Sequence, residues 1–252
     1  MAGRWPSRLW IVRHGESAGN VARDAAQASG AARIALDVRD VDVPLSPLGE
    51  DQARALGHWF AEAPEARPAV LLVSPYLRAQ ATARLFVDGG GMVEGSCPCV
   101  DERLREKEFG ILDGLTTRGI GEVHPDQIEF RRLLGKFYHR PPGGESWCDV
   151  IFRLRAVMDT ISLHYAGKPV MIIAHQVVVL CLRYIIEKMD EATILAIDKA
   201  GDVANCSVTE YRFDPDQPGD GALTLVRFNA TAPVAREVTV TTEPARGIGA
   251  RG

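Results

Sequence analysis

The chain has 252 residues, a net charge of −4 and 46% apolar residues. This length can bury the core of one domain, and the composition is that of an ordinary globular protein. The slight negative charge argues against nucleic acid as the main partner, because such partners need a basic face. A small anion stays compatible with it, since a few focused arginines can bind one.

Strand-length apolar runs alternate with helical stretches along the chain. Helix starts are marked by capping signals: a serine precedes a proline at 46–47 and at 74–75, and Ser146 precedes Asp149 at capping-box spacing. In chain order the pattern predicts a strand at 9–13, a helix at 16–28, an irregular surface excursion at 28–43, a helix at 46–63, a strand at 70–73, a helix at 75–87, a strand near Cys99, helices at 125–136 and 146–165, a strand at 170–174 with a helix after it, and strands at 206–213 and 222–228.

This alternation predicts an α/β fold of three layers, with a mostly parallel sheet and helices on both of its faces. The last two strands supply an antiparallel edge. We expect residues 1–235 to form a single domain. Residues 236–252 are rich in Thr, Gly, Ala and Arg without helical periodicity, which predicts a flexible C-terminal tail.

The cysteine pattern and the apolar stretches indicate where the protein works. Its five cysteines are an odd number without a repeated CxxC pair, which predicts reduced thiols and a cytoplasmic location. The apolar stretch 169–186 includes His175 and Arg183, which favours a buried strand and helix over a membrane span. We therefore expect no membrane partner.

Two of the predicted parallel strands end at a histidine, one at His14 and the other at His175. Because the carboxyl ends of parallel strands face the ligand crevice, where helix N-termini also point, both histidines should meet at one site. Arg13 puts a permanent positive charge beside the first histidine, which indicates that the ligand is an anion.

Five segments resemble, in the same order, the motifs of the histidine phosphatase superfamily. Five ordered segments are far more specific than an Arg-His-Gly triplet alone, and together they cover residues 9 to about 187. The resemblance implies the fold of phosphoglycerate mutases and chemistry on a phosphate ester. The segments are Arg13-His14-Gly15-Glu16-Ser17 with Asn20, the stretches 44–53, 74–83 and 104–110, and Ala174-His175.

The chemistry of a phosphate ester agrees with the roles that this resemblance implies. A neutral imidazole at His14 can attack phosphorus and form a phosphohistidine, which water then cleaves. A carboxyl group must protonate the leaving alcohol, and the motif position selects Glu106, with Glu108 as its rival. The catalytic set is then His14, Glu106 and His175, and the phosphate-binding set is Arg13, Asn20, Arg78 and Gln176.

The stretch before the Gly-Glu-Ser turn at 144–146 resembles the bisphosphatase domain that acts on fructose 2,6-bisphosphate. Arg132 and Lys136 are four residues apart and should share a helix face. The resemblance implies that these two side chains bind the part of a sugar phosphate remote from the reacting group. An exposed basic stripe is the alternative interpretation.

These observations predict a phosphatase that hydrolyses a small phosphate monoester through a phosphohistidine. The alternatives are a phosphoryl transfer of the phosphoglycerate mutase type and a non-catalytic phosphate-binding domain. The stretch 114–144 is short and is expected to hold one helix, which favours hydrolysis, because mutases carry a longer, water-excluding insertion there. We expect no cofactor and no metal, a small phosphorylated metabolite as partner, and leave a homodimer open.

Overall fold

The computed structural model describes residues 4–63 and 67–232. The predicted tail at 236–252 lies outside the described residues, so the tail and the domain boundary at 235 stay predictions. The strands are β1 Arg8–Arg13, β2 Val70–Val73, β3 Pro98–Val100, β4 Pro169–Ala174, β5 Val208–Asp214 and β6 Ala222–Ala230. The helices are α1 Ala18–Ser29, α2 Pro47–Ala61, α3 Leu77–Asp88, α4 Thr117–Val123, α5 Pro125–Tyr138, α6 Trp147–His164, α7 Gln176–Ile186 and α8 Glu191–Ala200.

The six strands form one mixed sheet in the order β3-β2-β4-β1-β5-β6. The pairs β3–β2, β2–β4 and β4–β1 are parallel, whereas β5 and β6 continue the sheet antiparallel. This confirms the predicted α/β fold, its mostly parallel sheet and its antiparallel edge.

Alternate residues of the central strands enter two separate cores. Leu9 and Ile11 of β1 belong to a core with side chains of α6 and α7. Trp10 and Val12 belong to a second core on the other face, with side chains of α2 and α3. Successive strand residues point to opposite faces, so an unbroken apolar run is what a sheet covered on both faces requires. The helices on both faces confirm the three layers.

The pairing of β1 with β4 fixes the two histidines beside each other. The register aligns Arg13 with Ala174, the last residues of the two strands. His14 then continues the pairing, since its backbone N–H donates to the carbonyl of Ala174 at 2.9 Å. His175 follows Ala174 directly, so both histidines lie just beyond the carboxyl ends of neighbouring strands.

Helix starts agree with the predicted caps in two of three cases. Ser46 caps α2, its hydroxyl accepting from the N–H of Gly49 at 3.0 Å, and Ser146 begins α6 with a complete capping box. The prediction was wrong for Ser74: α3 begins at Leu77 with Tyr76 in the cap position. The hydroxyl of Ser74, at the end of β2, bonds to a side chain of the neighbouring strand end instead.

The region 114–144 contains two helices, α4 and α5, where one was expected. α5 is itself interrupted at Gly135, whose φ of 77° and ψ of 162° are not helical. Glycine tolerates this positive φ, which other residues rarely adopt. Arg132 and Lys136 lie on opposite sides of the interruption, so the prediction that they share one helix face was wrong.

Residues 30–43, which we call the 30–43 segment, form the irregular excursion that was expected, with one short helical turn at Asp40–Asp42. The segment is attached to the loop before α4. The backbone N–H of Ile34 donates to Gly114, and the hydroxyl of Thr116 donates to Ala31. It also lines the cavity beside His14.

All five cysteines are free thiols, as expected. Within residues 4–63 and 67–232, no helix combines the length and the apolar composition needed to cross a bilayer.

Candidate active site

His14 is a buried imidazole with a defined tautomer. It is 3% exposed, and its Nδ1–H donates to the carbonyl of Gly15 at 2.7 Å. Nε2 therefore carries the lone pair, and it accepts from Nε–H of Arg78 at 3.2 Å. Burial, with the charges of Arg78 and Arg13, holds the pKa of His14 well below its usual 6.5. The ring is a neutral base with its lone pair in the cavity.

The residue after this histidine has to be glycine. A Cβ on Gly15 would lie 2.4 Å from the carbonyl oxygen of Gly49 in the first turn of α2. The backbone N–H of Gly15 donates to the hydroxyl of Thr82 at 3.0 Å. The close approach of α2 and this bond to α3 hold the loop that positions His14.

Arg13 is a buried cation with an unused donor. One of its terminal nitrogens donates to the carbonyl of Val203. Its Nε is buried and has no hydrogen-bond partner among the described residues. Burial and the nearby charge of Arg23 lower the pKa of Arg13 to about 10. A buried guanidinium with a free donor is suited to an anion, which would supply the missing acceptor.

Arg78 stands in the first turn of α3, as predicted, and directs its guanidinium at two partners. Nε–H donates to His14, and the two terminal nitrogens donate to the carboxylate of Asp40 at 3.0 and 3.1 Å. One of them also donates to the carbonyl of Asp40 at 2.6 Å. The fork that suits a phosphoryl group is thus filled by a carboxylate of the 30–43 segment.

His175 packs against the ring of His14 and is fully buried. The two ring centroids are 5.1 Å apart. Nε2 of His175 lies 2.7 Å from the hydroxyl of Ser74, and Nδ1 has no partner in the described part of the chain. The same hydroxyl accepts from the N–H of Tyr76 at 3.3 Å, and His175 lies outside the cavity lining. Burial and the charge of Arg78 hold the pKa of His175 well below 6.5.

Glu106 lines the cavity, and one of its oxygens accepts from the N–H of Lys107 at 2.9 Å. Burial raises the pKa of Glu106 above its usual 4.5, which favours the protonated form that a general acid needs. Glu108 has an exposed side chain that accepts from the hydroxyl of Tyr76 at 3.0 Å and lies outside the cavity lining. The geometry therefore favours Glu106 over its rival.

Asn20 and Gln176 also line the cavity, and each has a structural bond. The side-chain oxygen of Asn20 accepts from the N–H of Ser17 at 3.0 Å and completes the capping box of α1. The amide nitrogen of Gln176 donates to Asp202 at 3.0 Å. Phosphate binding by these two residues stays a prediction.

The two predicted substrate-binding residues, Arg132 and Lys136, lie in different surroundings. Lys136 lines the cavity, where its ammonium lies 2.6 Å from the carboxylate of Asp198. Arg132 lies outside the cavity lining, with an exposed side chain that pairs with Glu129 at 2.6 Å. The structure therefore does not bring Arg132 to the cavity, which its neighbour Arg131 lines instead, and substrate binding by Arg132 stays a prediction.

The cavity has a volume of about 290 Å³ and is strongly charged. Six charged lining residues were missed from the sequence. Arg23 could have been found, because it lies three residues after Asn20 on the same helix face. Arg131 lies on α5 beside the predicted Arg132, and the other four are in irregular segments, where spacing carries no information. The six are Arg23, Asp40, Lys107, Asp113, Arg131 and Asp202.

In the part of the chain that the structure describes, no group of three or more His, Cys, Asp or Glu side chains could hold a metal ion. A reaction without a metal therefore stays a prediction, to be tested in solution.

Comparison with known proteins identifies the family of this chain and several similar proteins. The chain is 29% identical over 178 residues to the probable phosphoglycerate mutase GpmB of Yersinia enterocolitica, which covers 69% of this chain and 72% of that protein. The structure resembles the mycobacterial glucosyl-3-phosphoglycerate phosphatase Rv2419c, with a TM-score of 0.67 and 26% identity over 90% of this chain and 100% of that one. It shares the fold of a putative alpha-ribazole-5'-P phosphatase from Escherichia coli K-12, at a TM-score of 0.67 and 20% identity over 90% and 98% of the chains. Residues 9–225 match the histidine phosphatase superfamily (branch 1), and the chain belongs to this family.

Proposed function

We propose that this protein is a phosphatase that hydrolyses a small phosphate monoester through a phosphohistidine at His14. The observation that carries this proposal is the neutral His14 ring, whose Nε2 lone pair lies in a cavity between buried guanidinium groups. A neutral imidazole beside two guanidinium groups supports attack on a phosphoryl group, once the substrate displaces Asp40 and His14 from the N–H groups of Arg78.

The reaction has two steps. Nε2 of His14 attacks phosphorus, the bond from phosphorus to the ester oxygen breaks, and Glu106 gives its proton to the leaving alcohol. Glu106, now a carboxylate, takes a proton from water, whose oxygen attacks the phosphohistidine and releases inorganic phosphate. Arg13 and Arg78 neutralise the phosphoryl oxygens in both steps, and the ring of His175 packs beside that of His14.

The lowered pKa of His14 matters for this chemistry. A protonated imidazole has no lone pair for phosphorus, and an ordinary histidine is partly protonated near pH 6.5. Because burial and two arginines lower the pKa of His14, the ring stays nucleophilic at neutral pH. The same arginines bind the substrate, so one set of charges serves both purposes.

The names of similar proteins support chemistry on a phosphate ester. They are compatible with two reaction types, hydrolysis and phosphoryl transfer. One solved relative is named a glucosyl-3-phosphoglycerate phosphatase, and one sequence relative a probable phosphoglycerate mutase. Phosphoryl transfer of the mutase type is therefore the second candidate. With 3-phosphoglycerate and a catalytic amount of 2,3-bisphosphoglycerate, a phosphatase releases inorganic phosphate, whereas a mutase forms 2-phosphoglycerate.

The proposal does not extend to fructose 2,6-bisphosphate. That suggestion depended on Arg132 and Lys136 acting together, and the two residues do not meet in the cavity.

The nucleophile is tested by His14→Ala. We expect p-nitrophenyl phosphate hydrolysis to fall by several orders of magnitude, because the covalent route is lost. Reaction of the wild type with a labelled ester, quenched in alkali, should trap an acid-labile, base-stable phosphoprotein. His58→Ala is the matched control, since His58 is an exposed histidine on α2. Unchanged turnover in His14→Ala would overturn the proposal.

A further inference from the structure

The loop that carries Glu106 is held from outside itself. Residues 105–109 belong to no helix or strand, and we call residues 103–108 the acid loop. The backbone N–H and C=O groups of such a segment have no regular ladder of their own, so other parts of the chain must bond them. Here the partners are Glu145, in the turn before α6, and Arg153, in the second turn of α6.

Arg153 bonds a carboxylate and the acid loop at the same time. Its residue is 9% exposed, and its Nε–H and one terminal nitrogen donate to the two oxygens of Glu145 at 3.0 and 3.1 Å. The terminal nitrogens also donate to the backbone carbonyls of Arg103 at 2.5 Å and of Glu106 at 3.2 Å. The planar guanidinium group therefore holds the main chain of the acid itself.

Glu145 holds the acid loop on the other side of Glu106. One of its oxygens accepts from the backbone N–H of Glu108 at 3.1 Å, and the other accepts from Arg105 at 2.6 Å. The backbone N–H of Glu145 donates to the carbonyl of Glu108 at 2.9 Å. Together with Arg153, these bonds leave the backbone around Glu106 little freedom to move.

The ion pair between Glu145 and Arg153 is buried, and neither residue lines the cavity. Burial alone would raise the pKa of Glu145, but the bonds from Arg153 and from the N–H of Glu108 outweigh it and hold this pKa below 4.5. A buried ion pair loses much of its attraction to desolvation, so stability alone is a weak reason for it. Apolar side chains could fill the same space, but they could not bond the backbone of the acid loop.

We propose that Glu145 and Arg153 are positioning residues for the general acid: they hold the backbone on both sides of Glu106, so that its carboxyl group meets the leaving oxygen of the substrate. The inference rests on the proposed function and adds to it two residues that do not touch the substrate. Proton transfer requires hydrogen-bond contact, and a displacement of about 1 Å can cost a hundredfold in rate.

The test compares esters that differ in their need for a proton. The parameter is kcat/KM, which covers the steps up to release of the alcohol. In Glu145→Gln and Arg153→Met, kcat/KM for an alkyl ester such as glycerol 3-phosphate should fall about tenfold to hundredfold. Phenyl phosphate should fall less, and p-nitrophenyl phosphate least, because its leaving group needs no proton. The inhibition constant of inorganic phosphate should stay the same, since the phosphate ligands are untouched.

Conservative and control variants separate positioning from a general loss of structure. Arg153→Lys keeps the charge without the planar fork, so it should lie between the wild type and Arg153→Met, and it remains informative if Arg153→Met does not fold. Arg103→Gln is the matched control. Arg103 also joins the acid loop to α6, through the carbonyl of Ala156 and the hydroxyl of Thr160, both at 3.0 Å, but its side chain makes no bond to the backbone of Glu106. Its leaving-group dependence should be that of the wild type.

A double variant shows whether the pair acts through the acid. A residue that only positions Glu106 has nothing left to position in Glu106→Gln, so adding Glu145→Gln should cause no further loss with the alkyl ester. Additive losses in the double variant, or equal losses for all three esters in the single variants, would overturn the inference.

Failure of the inference differs from failure of the proposed function. If the wild type hydrolyses these esters and the variants of the pair keep its leaving-group dependence, the inference is wrong and the proposed function stands. If the wild type turns over none of them, the proposed function fails, and amide hydrogen exchange then decides whether the pair holds the loop. Exchange within residues 103–108 must be faster in Glu145→Gln than in the wild type and in Arg103→Gln; unchanged exchange would overturn the inference.

Discussion

Glu106 and Glu108 stand two positions apart but lie in different surroundings. Glu106 lines the cavity, where burial raises its pKa, and Glu108 is exposed and bonded to Tyr76. A raised pKa keeps the carboxyl protonated to higher pH than an ordinary glutamate, which suits a group that must give up a proton to a leaving alcohol.

Glu106→Gln should therefore slow alkyl phosphates far more than p-nitrophenyl phosphate, because only a poor leaving group needs the proton. The loss for an alkyl ester should be about 100-fold or more, the usual effect of removing a general acid. Glu108→Gln is the matched control, and comparison of kcat for the two ester types in both variants is the measurement. The assignment of the acid would be wrong if Glu108→Gln gave the leaving-group dependence instead.

Single residues also show where sequence reasoning reached its limit. His14 and His175 were found because each ends an apolar strand, and paired parallel strands bring their ends together whatever the details of packing. The Ser-Pro pattern at 74–75 predicts a helix cap, although the hydroxyl of Ser74 bonds to His175. A serine before a proline fits both roles, and only the position of the neighbouring strand distinguishes them.

At the scale of elements, the 30–43 segment occupies the guanidinium fork of Arg78. Asp40 holds both terminal nitrogens of Arg78 with its carboxylate, in the geometry expected for a phosphoryl group. A substrate phosphate and Asp40 therefore compete for the same fork. The side chain of Asp40 is 39% exposed, so its pair with Arg78 is only partly shielded from water and costs little to break.

Asp40→Asn should strengthen the binding of inorganic phosphate. Removing a competing, partly exposed carboxylate should make the binding free energy of phosphate more favourable by about 1 kcal/mol. This corresponds to a roughly fivefold lower inhibition constant. Asp42→Asn is the control: Asp42 belongs to the same turn but pairs with the exposed Arg39 at 2.6 Å. Inhibition of p-nitrophenyl phosphate hydrolysis by phosphate gives both constants. Weaker inhibition in Asp40→Asn would show that this carboxylate positions Arg78 and does not compete with the ligand.

Elements were predictable where they carried a strong cap or an unbroken apolar run, as α2, α6 and the central strands do. α4 and α8 were missed, although Asp190 caps α8 by accepting from the N–H of Thr193 at 2.8 Å. Short helices on the surface have little apolar periodicity, because they bury few residues. The interruption at Gly135 was also missed, and a four-residue spacing indicates a shared face only if the helix is continuous.

At the scale of the whole molecule, the charge of the cavity lining is opposite in sign to the net charge of the chain. The net charge is −4, yet six Arg and Lys side chains line a cavity that contains four carboxylates. Two apolar cores pack on the two faces of the central strands. They fix the strand ends beside which this cationic cavity lies. A rigid, preorganised set of donors is what stabilises charge that develops on a phosphoryl group. A homodimer stays open, and the cytoplasmic location stays a prediction.

This distribution leads to a prediction about metal dependence. Phosphoryl transfer needs neutralisation of the equatorial oxygens, which many enzymes obtain from a bound divalent ion. Here Arg13 and Arg78 can supply it, and no described cluster offers a set of metal ligands. Hydrolysis of p-nitrophenyl phosphate should therefore be unchanged by excess EDTA, whereas Arg78→Ala should lower it by about 100-fold or more. Loss of activity on chelation, restored by one specific divalent ion, would show that the arginines alone do not neutralise the phosphoryl group.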